Sequence, residues 1–261
     1  TVFVVLAGLA VVAPTAARAG DPPKGGGGAS PAANSQPSIT SPGPLVNIFT
    51  SPDLNCAVDY LGDTSSEFYG RTACGTFVVV AGTLYGPASV PAGGNASPRT
   101  AFTPVSQSTS GLGSTSDPWR IVTTVQLGDT GVTIAQTDSY VDGQQSFRTD
   151  VRVRSGLSSN TPITIYRAAD CYLENSDVGT GLVSAAANGS AVACVSSSGR
   201  LEQFLPLTTG SSYMEGAYSD VWRAVGSQLP FPNTCTCDVA LDNGAGLSWN
   251  SILPAGGSAT F

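Results

Sequence analysis

Two stretches of strict alternation constrain the folding of this chain most. In "WRIVTTVQL" (119–127) the apolar Trp119, Ile121, Val125 and Leu127 are separated by Arg120, Thr124 and Gln126, and in "SFRTDVRVR" (146–154) Phe147, Val151 and Val153 are separated by Arg148, Asp150, Arg152 and Arg154. Successive side chains of a strand point to opposite faces, so a period of two predicts half-buried β-strands. "GVTIAQTDSYV" lies between them and "TPITIYRAA" follows, with turn signals at Gly128-Asp129-Thr130-Gly131, Asp142-Gly143 and Ser155-Gly156. The pattern predicts an antiparallel meander of four strands from Trp119 to Ala169, with Ile121, Val125, Val151, Val153, Ile163 and Ile165 facing inward. "TFVVVAGTLYG", "AVACVSSS" and the segment from "GLSWNSILP" to "GSATF" add shorter strands. Only "YSDVWRAVGSQ" (218–228) has helical spacing, with Val221, Trp222 and Val225 on one side and Ser219 or Asp220 placed to cap its start. The expected fold is all-β: a single large antiparallel β-sandwich with one short helix.

The two ends of the chain differ in composition. Residues 1–19, "TVFVVLAGLAVVAPTAARA", form an apolar run closing on Ala17-Arg18-Ala19, the small-x-small pattern of a signal-peptide cleavage site, with Gly20 as the expected first mature residue. No Met or basic leader precedes the run, so the expectation is a signal peptide entered part-way. A membrane anchor needs about 20 apolar residues, and this run breaks at Pro14. Residues 20–44, "GDPPKGGGGASPAANSQPSITSPGP", offer almost nothing to bury and read as a disordered linker. Residues 45–261 are then one folded domain. The final "PAGGSATF" reads as mid-strand, which suggests a further stalk or wall anchor beyond it.

Six cysteines, an even number in an exported chain, imply disulfides formed outside the cytoplasm. Cys56 and Cys74 enclose a polar loop and are the favoured pair, worth about 3 kcal/mol by chain entropy. Cys171 and Cys194 bracket a similar stretch. Cys235 and Cys237 form a C-x-C that either closes a small strained ring or splits to other partners, and a redox role is outweighed by a structural one. The net charge is −7, and the only Lys, Lys24, lies before the domain. An acidic domain without Lys is unsuited to nucleic acid or anionic membranes, so no nucleic-acid partner and no membrane insertion of the mature domain are expected. Localisation is read as secreted or extracellular, with cell-wall association as a further option.

Candidate chemistry is narrowed by the absence of His, which removes Ser-His-Asp triads, Cys-His pairs and the common zinc sites. What remains is carboxylate chemistry. "RAADCYLENSD" (167–177) gathers Asp170, Glu174 and Asp177 with Tyr172 and Arg167, the types a glycosidase or lyase uses. The same oxygens could ligate Ca²⁺, although the Asp-x-Asp-x-Asp-Gly order is missing; no other metal or cofactor is implied. Acidic residues beside Gly and Ser are more often turn formers, and in that reading Asp170 is satisfied by backbone N–H groups or by Arg167. For binding, Tyr213, Glu215, Tyr218 and Trp222 cluster in "SSYMEGAYSDVW" without strand periodicity and are the candidate sugar-stacking surface. Arg148, Arg152 and Arg154 form a row on one strand face, read as solvated.

Strands of the form "FRTDVRVR…TPITIYRAA" followed by an abruptly polar loop resemble the β-supersandwich of galactose mutarotases and related carbohydrate-active proteins, over roughly Trp119 to Leu173. In that family the strand matching "TIYRAADCYLEN" ends in a His-x-Tyr-Phe-Asn arrangement whose His is the catalytic acid. Here Ala169 or Asp170 stands near that position and Tyr172 keeps the aromatic, so the resemblance implies the fold without the epimerase reaction. "SPDLNCAVDYLGDTSSEFYGRTACGT" with "NTCTCDVALDNGAGLSWNSILPAGGS" is similar to a group of secreted actinobacterial β-sandwich proteins, a likeness that implies no chemistry. Two functions follow as expectations: a non-catalytic extracellular or cell-surface module binding a glycan or a surface protein, and, as the alternative, a carboxylate-dependent carbohydrate-active enzyme.

Overall fold

The computed structural model describes residues 37–91 and 93–261 together with the backbone of Val2–Phe3. The expected signal segment and the expected linker as far as residue 36 otherwise lie outside the described residues. Val2–Phe3 is antiparallel to Arg148–Thr149 on one side and to Leu205–Pro206 on the other.

The described residues form an all-β sandwich with one short helix. One layer is the alternating region: Thr103–Ser110, Trp119–Gln126, Thr133–Tyr140 and Arg148–Arg154 pair in antiparallel order, and Ser258–Thr260 adds to the last of them. Burial follows the period of two, with Ile121, Val125, Ile134, Val151 and Val153 inside and Arg148, Arg152 and Arg154 exposed. The facing layer is built around Thr161–Asp170, which lies between Cys74–Val80 and the 13-residue strand Leu241–Leu253. One continuous core joins both layers, from Ile121 and Val153 to Val78, Ile163, Ile165, Leu247 and Trp249.

The expected four-strand meander therefore stops at three of its members. Thr161–Asp170 crosses to the opposite layer, where it is covered on both faces, and its burial is nearly unbroken from Ile163 to Asp170. A strand buried on both faces needs no polar alternation, and "ITIYRAA" has little. Its second face, with Tyr166 and Ala168, joins Phe77, Val79, Leu84 and Phe231 beneath the helix Tyr218–Gly226, which buries Val221, Trp222 and Val225 against it. The helix begins without the expected Ser219 or Asp220 cap: its N-cap is Ala217, with no side-chain capping bond, and Asp220 instead pairs with Arg223 at 2.6 Å. Packing of the apolar stripe outweighs the missing cap, which is worth about 1 kcal/mol.

The folded part also begins earlier than residue 45. Ser38–Thr40 pairs antiparallel with Asn47–Phe49 and buries Ile39 to 3% exposure. A single apolar residue among breakers is invisible to a composition window, yet one side chain in a core pays for ordering a three-residue strand. With Leu45–Thr50 and Cys56–Tyr60 this strand forms a separate three-stranded sheet that contributes to the shared core.

Between the layers runs a buried polar chain. Arg167 Nη1 donates to Thr76 Oγ1 at 2.9 Å, Thr76 Oγ1 donates to Gln136 Oε1 at 2.6 Å, and Gln136 Nε2 donates to Asp138 Oδ2 at 2.9 Å. Thr50 and Thr149 hydroxyls donate to the same Asp138 carboxylate at 2.8 and 2.6 Å. Burial lowers the pKa of Arg167, and the Asp138 charge opposes that shift. The arginine that seemed to belong to the acidic loop thus serves the inter-layer core, since Arg167 lies on the same face of its strand as Ile163 and Ile165.

Candidate functional site

Three disulfides are formed: Cys56–Cys74, Cys171–Cys194 and Cys235–Cys237. They differ in what they do for stability. Spans of 18 and 23 residues are worth about 3 kcal/mol each by chain entropy, whereas a span of 2 residues gives only about half that.

The first two bridges hold together the loops after Tyr60 and after Asp170, together with the strand Gly189–Val195, and with them an acidic cluster. Arg200 is its hub. Its Nη2 donates to Asp63 and, at 3.2 Å, to both oxygens of Glu67, while its guanidinium stacks 4.7 Å from the centre of the Tyr60 ring. Glu67 is buried, and burial together with a hydrogen bond to Asp63 pushes its carboxyl up to about 8. It therefore carries the proton of the pair at neutral pH. Burial also pushes Asp63 up, but the hydrogen bonds from Glu67 and Arg200 outweigh it and hold Asp63 below the usual carboxylate range. Two adjacent carboxyls that cannot both ionise divide in this way. Glu202, fully enclosed, is raised well above its ordinary value by burial and by the neighbouring Glu67 and Asp170 charges, and its Oε1 lies 3.8 Å from Cys171 Sγ.

The candidate catalytic residues border this cluster. Asp170 is 0% exposed at the end of its strand; its N–H donates to Ala73 O at 2.8 Å and its carbonyl accepts from Tyr69 N–H at 3.0 Å. Tyr172 packs edge-to-face on Tyr69 with ring centres 5.4 Å apart. Glu174 adopts a left-handed backbone (φ 53°) in a single 3-10 turn, where its Oε2 accepts from Ser196 Oγ and, at 2.5 Å, from Ser198 Oγ. Those two hydroxyls hold its carboxyl below the usual range. The gap at the cluster, lined by Leu45, Val58, Glu67, Phe68, Phe147, Leu201 and Glu202, measures about 10 Å³, room for about one water. A second cleft of about 190 Å³ is lined by Pro118, Ser139, Tyr140, Val141, Gln144, Ser146 and Arg148, and no carboxylate is among them.

The proposed stacking surface does not form. Trp222 is 0% exposed and meets Phe77 edge-to-face at 5.5 Å between centres, and Glu215 is 1% exposed. Tyr213 and Tyr218 are half-buried, the first packed on the main core and the second on the core under the helix. Helical periodicity at Val221, Trp222 and Val225 already pointed Trp222 inward. "SSYMEGA" is a central strand between Leu241–Leu253 and Thr234–Cys235, which encloses Glu215. Glu215 Oε1 accepts from Asn243 Nδ2 at 3.1 Å, and its Oε2 accepts from Thr236 N–H at 3.0 Å and lies 3.2 Å from Cys235 Sγ.

Asp63, Glu67, Arg200 and Glu202 had no sequence signal of their own. The first two sit in a Ser- and Gly-rich loop that reads as a turn, and their partners arrive from about 130 residues away along the chain. No helix among the described residues is long and apolar enough to cross a membrane. No protein-family model matches this chain and no curated protein matches it, so the function is argued from the chemistry of these sites.

Proposed function

We propose that this chain is a non-catalytic extracellular module that binds a protein ligand as an added β-strand. The observation that carries the proposal is the edge of the alternating layer. Thr103–Ser110 ends that sheet, pairs among the described residues only with Trp119–Gln126, and is exposed on both faces except at Gln107. "TPVSQSTS" contains no charge, and Val105 is 58% exposed. Natural edges of this length are usually blocked by charge, proline or a bulge; here Pro104 and the bulge between Pro104 and Ser106 guard only its start. Such an edge offers main-chain hydrogen bonds to an extended partner. Three disulfides fit an extracellular setting.

The test is selection of extended peptides from a displayed library, followed by amide exchange. Protection at residues 106–110, lost in Ser108→Lys with the melting temperature unchanged, supports the reading; peptides that protect another face, or that bind Ser108→Lys equally well, refute it. One observation favours the alternative of a carboxylate enzyme: Glu67 and Asp63 hold one proton between them, as an acid and a base do. Against it stands the gap of about 10 Å³ beside them, far below the 300–1,000 Å³ of ordinary ligand pockets. Release of reducing ends or unsaturated sugars from cell-wall or plant polysaccharides, abolished by Glu67→Gln, would reverse this choice.

A further inference from the structure

Of the three disulfides, Cys235–Cys237 alone lies at the surface. Both of its cysteines are half-buried, while Cys56, Cys74, Cys171 and Cys194 are each 2% exposed or less. It sits on a short segment held by parallel pairing of Thr234–Cys235 with Met214–Glu215, and the residues after it, Asp238 to Ala240, are exposed. Glu215 turns a buried carboxyl onto it, with Oε2 3.2 Å from Cys235 Sγ. Space for that contact depends on Gly181, where a Cβ would come within 2.8 Å of the same sulfur. A disulfide sulfur has no hydrogen to offer, so an oxygen this close is favourable when the carboxyl itself carries the proton. Burial raises the Glu215 carboxyl in that direction, against the hydrogen bonds from Asn243 and Thr236. The groups facing Glu215 are Asn243, Thr236, the two sulfurs and Gly181, and all are uncharged.

We propose that Cys235–Cys237 is a thiol–disulfide exchange centre that oxidises external dithiols, with Glu215 as the proton donor to the leaving sulfur. The substrate loses one thiol proton to solvent, and its thiolate attacks Cys237 Sγ. The Cys235–Cys237 bond breaks, its electron pair goes to Cys235 Sγ, and that sulfur takes the proton of Glu215. A mixed disulfide then joins Cys237 to the substrate. The second substrate thiol loses its proton to solvent and attacks its own partner sulfur, which expels Cys237 as a thiolate; solvent then returns one proton to Cys237 and one to the Glu215 carboxylate. Two electrons have passed to the protein; the substrate leaves as a disulfide and both cysteines remain as thiols. Exchange chemistry of this kind depends on the protonation of the leaving sulfur and on access to the attacked one, and the geometry provides both.

The intact protein is exposed to limiting dithiothreitol, alkylated at timed intervals and mapped by peptide mass spectrometry. Cys235 and Cys237 are expected to be labelled while the other four cysteines stay bridged, and Glu215→Gln is expected to slow the labelling at least tenfold. Should Glu215→Gln fold poorly, the wild-type pH profile takes its place. The rate per dithiothreitol thiolate is expected to fall as pH rises through the titration of Glu215, whereas uncatalysed exchange gives a flat line. A bridge that stays closed while the buried pairs open, labelling of Glu215→Gln at the wild-type rate, or a flat profile would each reduce Cys235–Cys237 to a plain crosslink.

Discussion

Raising the pH from about 5 to 8.5 should destabilise this protein, and replacing Glu67 by Gln should remove much of the effect. Glu67 is 4% exposed, and its carboxyl is raised from 4.5 to about 8 in the folded state. Between those values the folded chain keeps a proton that the unfolded chain has released, so unfolding loses a proton and stability falls by about 1.4 kcal/mol per pH unit. The group's favourable contribution is complete below its unfolded value and gone above about 8. Over that window the loss from Glu67 alone is about 5 kcal/mol. For a domain of this size that corresponds to roughly 10–20 °C in Tm. Glu202 shifts in the same direction and adds to the slope. Asp63 and Glu174 are depressed, so their contributions are present above their unfolded values and are lost on acidification through the folded ones. Stability should therefore peak at about pH 4–5. The assay is a series of melting curves without reductant, from pH 3 to 9, on the wild type and Glu67→Gln. Gln keeps a donor for Asp63 but cannot ionise, so the variant should melt near the wild type at pH 5 and well above it at pH 8.5. A wild-type Tm that is flat or rising from pH 5 to 8.5, or an equal slope in Glu67→Gln, would refute the assignment of the proton to this pair.

Two substitutions probe the core. Arg167→Met removes the cation that partly balances buried Asp138 and the donor to Thr76, and should cost about 3–5 kcal/mol. Adding Asp138→Asn should recover part of that loss, measured as coupling in a denaturant double-mutant cycle. Trp222→Ala empties the space between the helix and Phe77; about 3–5 kcal/mol should be lost in urea unfolding, and the peptide binding assigned to Thr103–Ser110 should persist in the variant that remains folded.

Local pattern was sufficient where one face of an element meets solvent. The strands from Trp119 to Arg154, their inward residues, the outward arginines and the inward stripe of the helix followed from side-chain periodicity, because each such face is decided by residues within a few positions of one another. The even number of cysteines likewise announced a bridged domain, and the absence of His removed whole classes of chemistry before any geometry was known. Tertiary structure alone decided the rest. The placement of Thr161–Asp170 in the opposite layer was hidden, because a strand covered on both sides lacks the alternation that would reveal its neighbours. Ile39 turned a breaker-rich stretch into a strand by finding a core to enter. Arg167 left the acidic loop for Asp138, and its place near acids was taken by Arg200, far along the chain. Glu215 and Trp222, polar and aromatic residues that looked available for a ligand, were enclosed by strands and helix whose packing no single segment encodes. The proton held by Glu67 has the same origin: burial and the hydrogen bond to Asp63 raise its carboxyl against the opposing charge of Arg200, and that balance exists only in the folded state.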